Sequence, residues 1–128
     1  MLTKLTHLSL FVDNQENAKD FFTHKLGFAV HTDATFGTMR WLTLCLPDQR
    51  DFELCLMQAN TEQEKQLVGK QGAGIPLCAI ETTDCRADYK KLKDLGVLFI
   101  DEPKEEAWGI GVSFKDIVGN IWYLNQSK

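Results

Sequence analysis

A chain of 128 residues has room for one ordinary domain or two small modules sharing a core. With 44% hydrophobic and 25% charged residues it is neither a disordered nor a fibrous sequence, and no apolar stretch approaches the roughly 18 residues of a membrane helix. The formal net charge of −4, and a lysine cluster (Lys90, Lys91, Lys93) flanked by Asp88 and Asp94, argue against a nucleic-acid partner. The N-terminus enters an alternating pattern at once, without a basic segment followed by an apolar one, so a cytoplasmic protein is expected. Cys45, Cys55, Cys78 and Cys85 form no Cys-x-x-Cys pair and read as reduced thiols.

His7-Leu-Ser-Leu-Phe-Val-Asp13 alternates as a half-buried strand. Leu8, Leu10 and Val12 lie on one face and His7, Ser9 and Phe11 on the other. Asp13 or Asn14 is the N-cap of a helix in which Ala18, Phe22 and Leu26 form a stripe widened by Phe21, closed by Gly27. The period then falls to two, with strands near 28–35, 38–46 and 51–58, separated by Gly37 and by Pro47-Asp-Gln-Arg-Asp51.

Residues 59–74 join this half to the next. Thr61-Glu-Gln-Glu64 fits a capping box and predicts a short helix through Val68, followed by a glycine-rich exit. Either a solvated linker or a mobile flap over a site is compatible with this composition.

Leu77-Cys-Ala-Ile-Glu-Thr-Thr83 repeats the alternating strand, and Asp84 the N-cap. Cys85, Tyr89, Leu92 and Leu95 supply the next helical stripe, closed by Gly96. Strands follow near 97–101, 108–115 and 120–126, separated by residues 102–106 and by Asp116-Ile-Val-Gly-Asn120. Ala18 and Ala87, like Gly27 and Gly96, are 69 residues apart, so the chain is an internal repeat. Each half is strand–helix–strand–strand–strand, and each one-striped helix must lie on a sheet. Leu8, Leu10, Phe22, Leu26, Ile80, Tyr89, Leu92 and Leu95 are the expected core.

Two βαβββ halves in a chain of this length resemble the vicinal oxygen chelate superfamily, which includes glyoxalase I, extradiol dioxygenases and bleomycin- and fosfomycin-resistance proteins. The resemblance is carried by His7-Leu-Ser-Leu-Phe-Val with Ala18…Phe21-Phe22…Leu26-Gly27-Phe28, by Thr83-Asp84…Ala87…Tyr89…Leu92…Gly96-Val97, and by Trp108-Gly109…Phe114-Lys-Asp116-Ile-Val-Gly119-Asn120. It covers nearly the whole chain apart from the linker. It implies an α+β fold in which tandem βαβββ modules form a curled open-barrel sheet with helices on the outer face. The domain is one, residues 1–128, with half-modules 1–58 and 75–126 and the linker 59–74 between them. A homodimer is also implied.

The family's chemistry rests on a divalent metal held by inward-facing His and Glu side chains. His7 stands at the first-half histidine, and Glu53 or Cys55 at the first-half strand-end ligand. At the other two positions stand Leu77, which has no donor atom, and Tyr123, where the family has glutamate. The set is incomplete. The resemblance therefore implies a small-molecule-binding protein with His7, Phe11, Trp41, Cys55, Trp108 and Tyr123 against the ligand, Trp41 and Trp108 supplying aromatic walls. The alternative is a metal-dependent lyase, isomerase or dioxygenase with an atypical ligand set built on His7 and Glu53.

Overall fold

In the computed structural model, which describes residues 1–128, the sequence folds into two mixed α+β units, Met1–Val68 and Gly69–Lys128. The first contains β1 (His7–Val12), α1 (Gln15–Asp20), β2 (Ala29–Phe36), β3 (Met39–Leu46), β4 (Gln49–Gln58) and α2 (Glu62–Leu67). Its four-stranded sheet has the order β1-β4-β3-β2, with β1 parallel to β4 and the other pairs antiparallel. The second contains β5 (Pro76–Glu81), α3 (Cys85–Asp94), β6 (Leu98–Phe99), β7 (Lys104–Glu106), β8 (Gly109–Lys115) and β9 (Ile121–Ser127). Its sheet runs β5-β9-β8-β6, with β7 also on β8. Neither sheet closes on itself, and no helix is long and apolar enough to cross a membrane.

The alternation of β1 places its side chains as its sequence requires. Leu10 and Val12 are fully buried, while His7 and Ser9 face outward. They meet the first helix, where Ala18, Phe21 and Phe22 are buried, and the Leu54, Leu56, Leu42 and Leu44 rows of β4 and β3. Of the two cap candidates, Asn14 is the one used: its side chain accepts the Asn17 N–H at 2.9 Å. The helix does not continue as a regular α-helix to Leu26. Residues Phe21–Lys25 widen into a π-helical turn. Within it the Thr23 hydroxyl donates to the Lys19 carbonyl, a bond that competes with the regular ladder. Gln15 then ties this helix to the sheet, its amide donating to the Arg40 and Leu56 carbonyls. The Thr61–Glu64 capping box forms as expected, with both reciprocal bonds made.

In the second unit Asp84 caps α3 through the Ala87 N–H, and Gly96 closes it in a left-handed conformation (φ 93°). The Val97 N–H reaches the Leu92 carbonyl and the Gly96 N–H the Lys93 carbonyl, which is the Schellman closure. Leu95 corrects the core expectation, because it is 44% exposed. At about 100° per residue it lies roughly 80° away from Cys85 around the helix, past the edge of the stripe. Val97, 3% exposed, fills the place instead. The strand expected near 97–101 is short, covering only Leu98–Phe99 as β6, and β7 follows within the stretch read as a separator. β6 and β7 pair with the two ends of β8, and the chain between them, around Pro103, leaves the ladder. Part of the stretch read as a turn is therefore strand.

Asp116 organises the closing turn. It is 5% exposed, and its Oδ1 accepts the N–H groups of Val118, Gly119 and Asn120, each at 3.0 Å. Its Oδ2 accepts the indole N–H of Trp122 at 2.8 Å. Burial pushes the carboxyl upward in pKa, and these four donors pull it back only in part. The clamp holds Trp122 in the core, and alternation along β9 puts Tyr123 on the opposite face.

Candidate functional site

The outward face of the first sheet carries a connected polar group. His7 on β1 and Glu53 on β4 are paired neighbours in the parallel ladder, and His7 Nε2 lies 3.1 Å from Glu53 Oε2. The Thr43 hydroxyl, from β3, donates to Glu53 Oε1 at 2.8 Å. His31 Nδ1, from β2, lies 3.1 Å from the same Oε1. The other three strands thus each contribute one side chain to the single carboxylate on β4. Glu53 is 16% exposed in its side chain, His7 41% and His31 28%, so the two imidazoles are accessible from solvent, whereas Thr43 is fully buried. The Trp41 ring stands beside it, its centroid 6.1 Å from that of His7.

His31 reaches Glu53 because β2 is irregular. Val30 pairs with Leu44 and Thr32 with Thr43, which leaves His31 as an extra residue in a β-bulge. Neither His31 nor Thr43 was among the residues expected at the site. His31 breaks the period-two register, and Thr43 is a single small polar residue in the apolar run Trp41-Leu-Thr-Leu-Cys-Leu46. Two sequence signals pointed their way: a histidine within a strand, and a hydroxyl where a core strand has no need of one.

Phe11 is half-buried further along β1, opposite Met57. Cys55 sits at the sheet centre between Ser9 and Thr43 in register and is 1% exposed. Its thiol is pushed up in pKa by burial and then by the Glu53 charge, which keeps it protonated.

In the second unit, Tyr123 lies across Gly111, where any side chain would collide with its hydroxyl end. Trp108 stands 5.9 Å from Tyr123 between centroids, in a tilted pair. It comes from the turn just before β8 and not from the strand, which leaves it 46% exposed. Burial raises the Tyr123 phenol above its ordinary pKa. Leu77 lies in a β-bulge of β5, between the paired residues Pro76 and Cys78.

A catalytic metal does not fit this donor set. No group of three or more His, Cys, Asp or Glu side chains is arranged to hold one. The Glu53 oxygens are engaged by Thr43, His31 and His7, and Leu77 and Tyr123 offer no carboxylate or imidazole.

His7→Ala is expected to leave the melting temperature nearly unchanged, because the His7 side chain is 41% exposed and a solvent-exposed contact of this kind is worth at most about 1 kcal/mol. Tyr123→Phe removes only a hydroxyl and carries the same expectation. Thermal denaturation checks both; a loss of several kcal/mol in His7→Ala would make His7 a structural residue.

Residues 4–124 match the family model described as the Glyoxalase/Bleomycin resistance protein/Dioxygenase superfamily. YurT of Bacillus subtilis (strain 168) is 32% identical, the alignment covering 96% of this chain and 98% of that protein. The crystal structure of UcmS2 is similar at a TM-score of 0.87 and 33% identity, covering 98% of both chains. That of TnmS3, an antibiotic binding protein from Streptomyces sp. CB03234, is similar at a TM-score of 0.82 and 29% identity, over 99% of this chain and 98% of its own.

Proposed function

Because the chain belongs to the glyoxalase/bleomycin resistance protein/dioxygenase superfamily, we propose that it is a small-molecule-binding protein whose ligand lies on the outward face of the first sheet. The observation that carries this reading is the pair of accessible imidazoles, His7 and His31, held on Glu53 with the Trp41 ring beside them. Such a surface joins an aromatic wall to a few fixed polar atoms, the composition of small-molecule sites. Likeness to an antibiotic binding protein at 29% identity supports the same class of ligand. In this reading Phe11, half-buried on β1, extends the apolar part of the surface.

Tryptophan fluorescence titrated with a panel of aromatic antibiotics tests the proposal. Saturable quenching that is lost in Trp41→Phe is the expected result. Linear, unsaturable quenching across the panel, unaltered by Trp41→Phe, would refute it.

The same reading places the protein in the cytoplasm as a homodimer. β2 is an edge strand, and Phe36 and Val30 on it are 66% and 41% exposed. Unpaired apolar edges of this kind are covered in stable proteins. Sedimentation velocity at tens of micromolar is expected to give twice the chain mass. A single species at the chain mass would end the dimer reading.

A further inference from the structure

We propose that the bulge in β2 makes His31 a hydrogen-bond acceptor for a phenolic hydroxyl of the ligand, with Glu53 as its positioning residue. The inference rests on the small-molecule reading above and names the ligand class: an aromatic molecule carrying an acidic hydroxyl.

The bonding of the group fixes which atoms remain for a ligand. A carboxylate only accepts, so the proton between His31 and Glu53 sits on His31 Nδ1, which lies 3.1 Å from Oε1. The same nitrogen is 2.9 Å from the Thr32 hydroxyl, which shares that proton. In the neutral ring the lone pair then belongs to Nε2. His7 is held the other way round. Its Nε2 proton faces Glu53 Oε2, and its Nδ1 accepts from the Thr6 hydroxyl at 2.9 Å. His7 thus has both ring nitrogens engaged within the protein, and Glu53 has donors on both oxygens. His31 Nε2 is the one ring nitrogen of the cluster not engaged by these contacts, on a side chain 28% exposed.

A ligand hydroxyl is the complementary donor, and an acidic one makes the stronger bond to imidazole. The Trp41 ring beside His7 makes an aromatic carrier of that hydroxyl the better fit than an aliphatic one. The bulge itself is a device for re-aiming a side chain, and without it His31 would fall out of register with Glu53.

Two measurements on the intact protein test this. The first is ligand-free nitrogen-15 NMR of labelled histidines, above the ordinary imidazole pKa of about 6.5. His31 is expected as the Nδ1–H form, with that preference lost in Glu53→Gln. A wild-type His31 protonated on Nε2 would overturn the acceptor assignment whatever the protein binds. The second compares 4-chlorophenol, which stays protonated near neutral pH, with 4-chloroanisole as probes, following the His31 and Trp41 resonances. The phenol is expected to bind about two- to tenfold more tightly, the worth of one such hydrogen bond, and His31→Phe to erase the difference. Equal binding of phenol and ether would overturn the hydroxyl while leaving a small-molecule surface in place. Failure of both probes to move either residue would overturn the surface and the inference together.

Discussion

Asp116→Ala is expected to destabilise the second unit by about 3–5 kcal/mol. Four donors converge on this carboxylate, and three of them are backbone N–H groups of one turn. Alanine leaves them without an acceptor in a place that water reaches poorly, since Asp116 is 5% and Asn120 1% exposed. It also frees the Trp122 indole, which is 2% exposed and stacks near Phe114 at 6.5 Å. The turn and the core strand are therefore loosened by the same change. Asp116→Asn should cost less, because one oxygen still serves the backbone donors while its amide opposes the indole N–H. Denaturant melts followed by near-ultraviolet circular dichroism give the comparison. A loss below about 1 kcal/mol in Asp116→Ala would mean that solvent replaces the carboxylate freely.

Leu10→Ala is expected to cost the first unit about 2–5 kcal/mol, the range for a fully enclosed leucine whose cavity cannot collapse. Leu10 is 0% exposed, and its ladder partner Leu56 and the helix residue Phe22 are equally buried. β1 is held in the sheet by β4 and covered by a helix that widens at Phe21–Lys25. That leaves little freedom to refill the space. Equilibrium denaturation checks the value, and a change under about 1 kcal/mol would place Leu10 on the wrong face of β1.

What the sequence made legible was whatever depends on local period and caps. Leu10 and Val12 against His7 and Ser9 follow from a period of two, and Gly96 from the left-handed closure of α3. Features that depend on a register break were not legible. The π-helical turn, the split between β6 and β7 and the bulge at His31 each insert or remove a residue against the local period. His31 lies outside the repeat that places His7, and only the cross-strand geometry brings both to Glu53. Leu95 failed for a related reason, a drift of the helical stripe that three well-placed residues before it conceal.

The most direct test of a metal-independent binding face is chemical-shift mapping of chelator-treated protein with an aromatic antibiotic that quenches its fluorescence. The expected result is saturable perturbation of the Trp41 indole and of the His7 and His31 rings, with no change in affinity when divalent metal is restored. Perturbation confined to residues elsewhere, or binding that appears only after metal is added, would contradict the account.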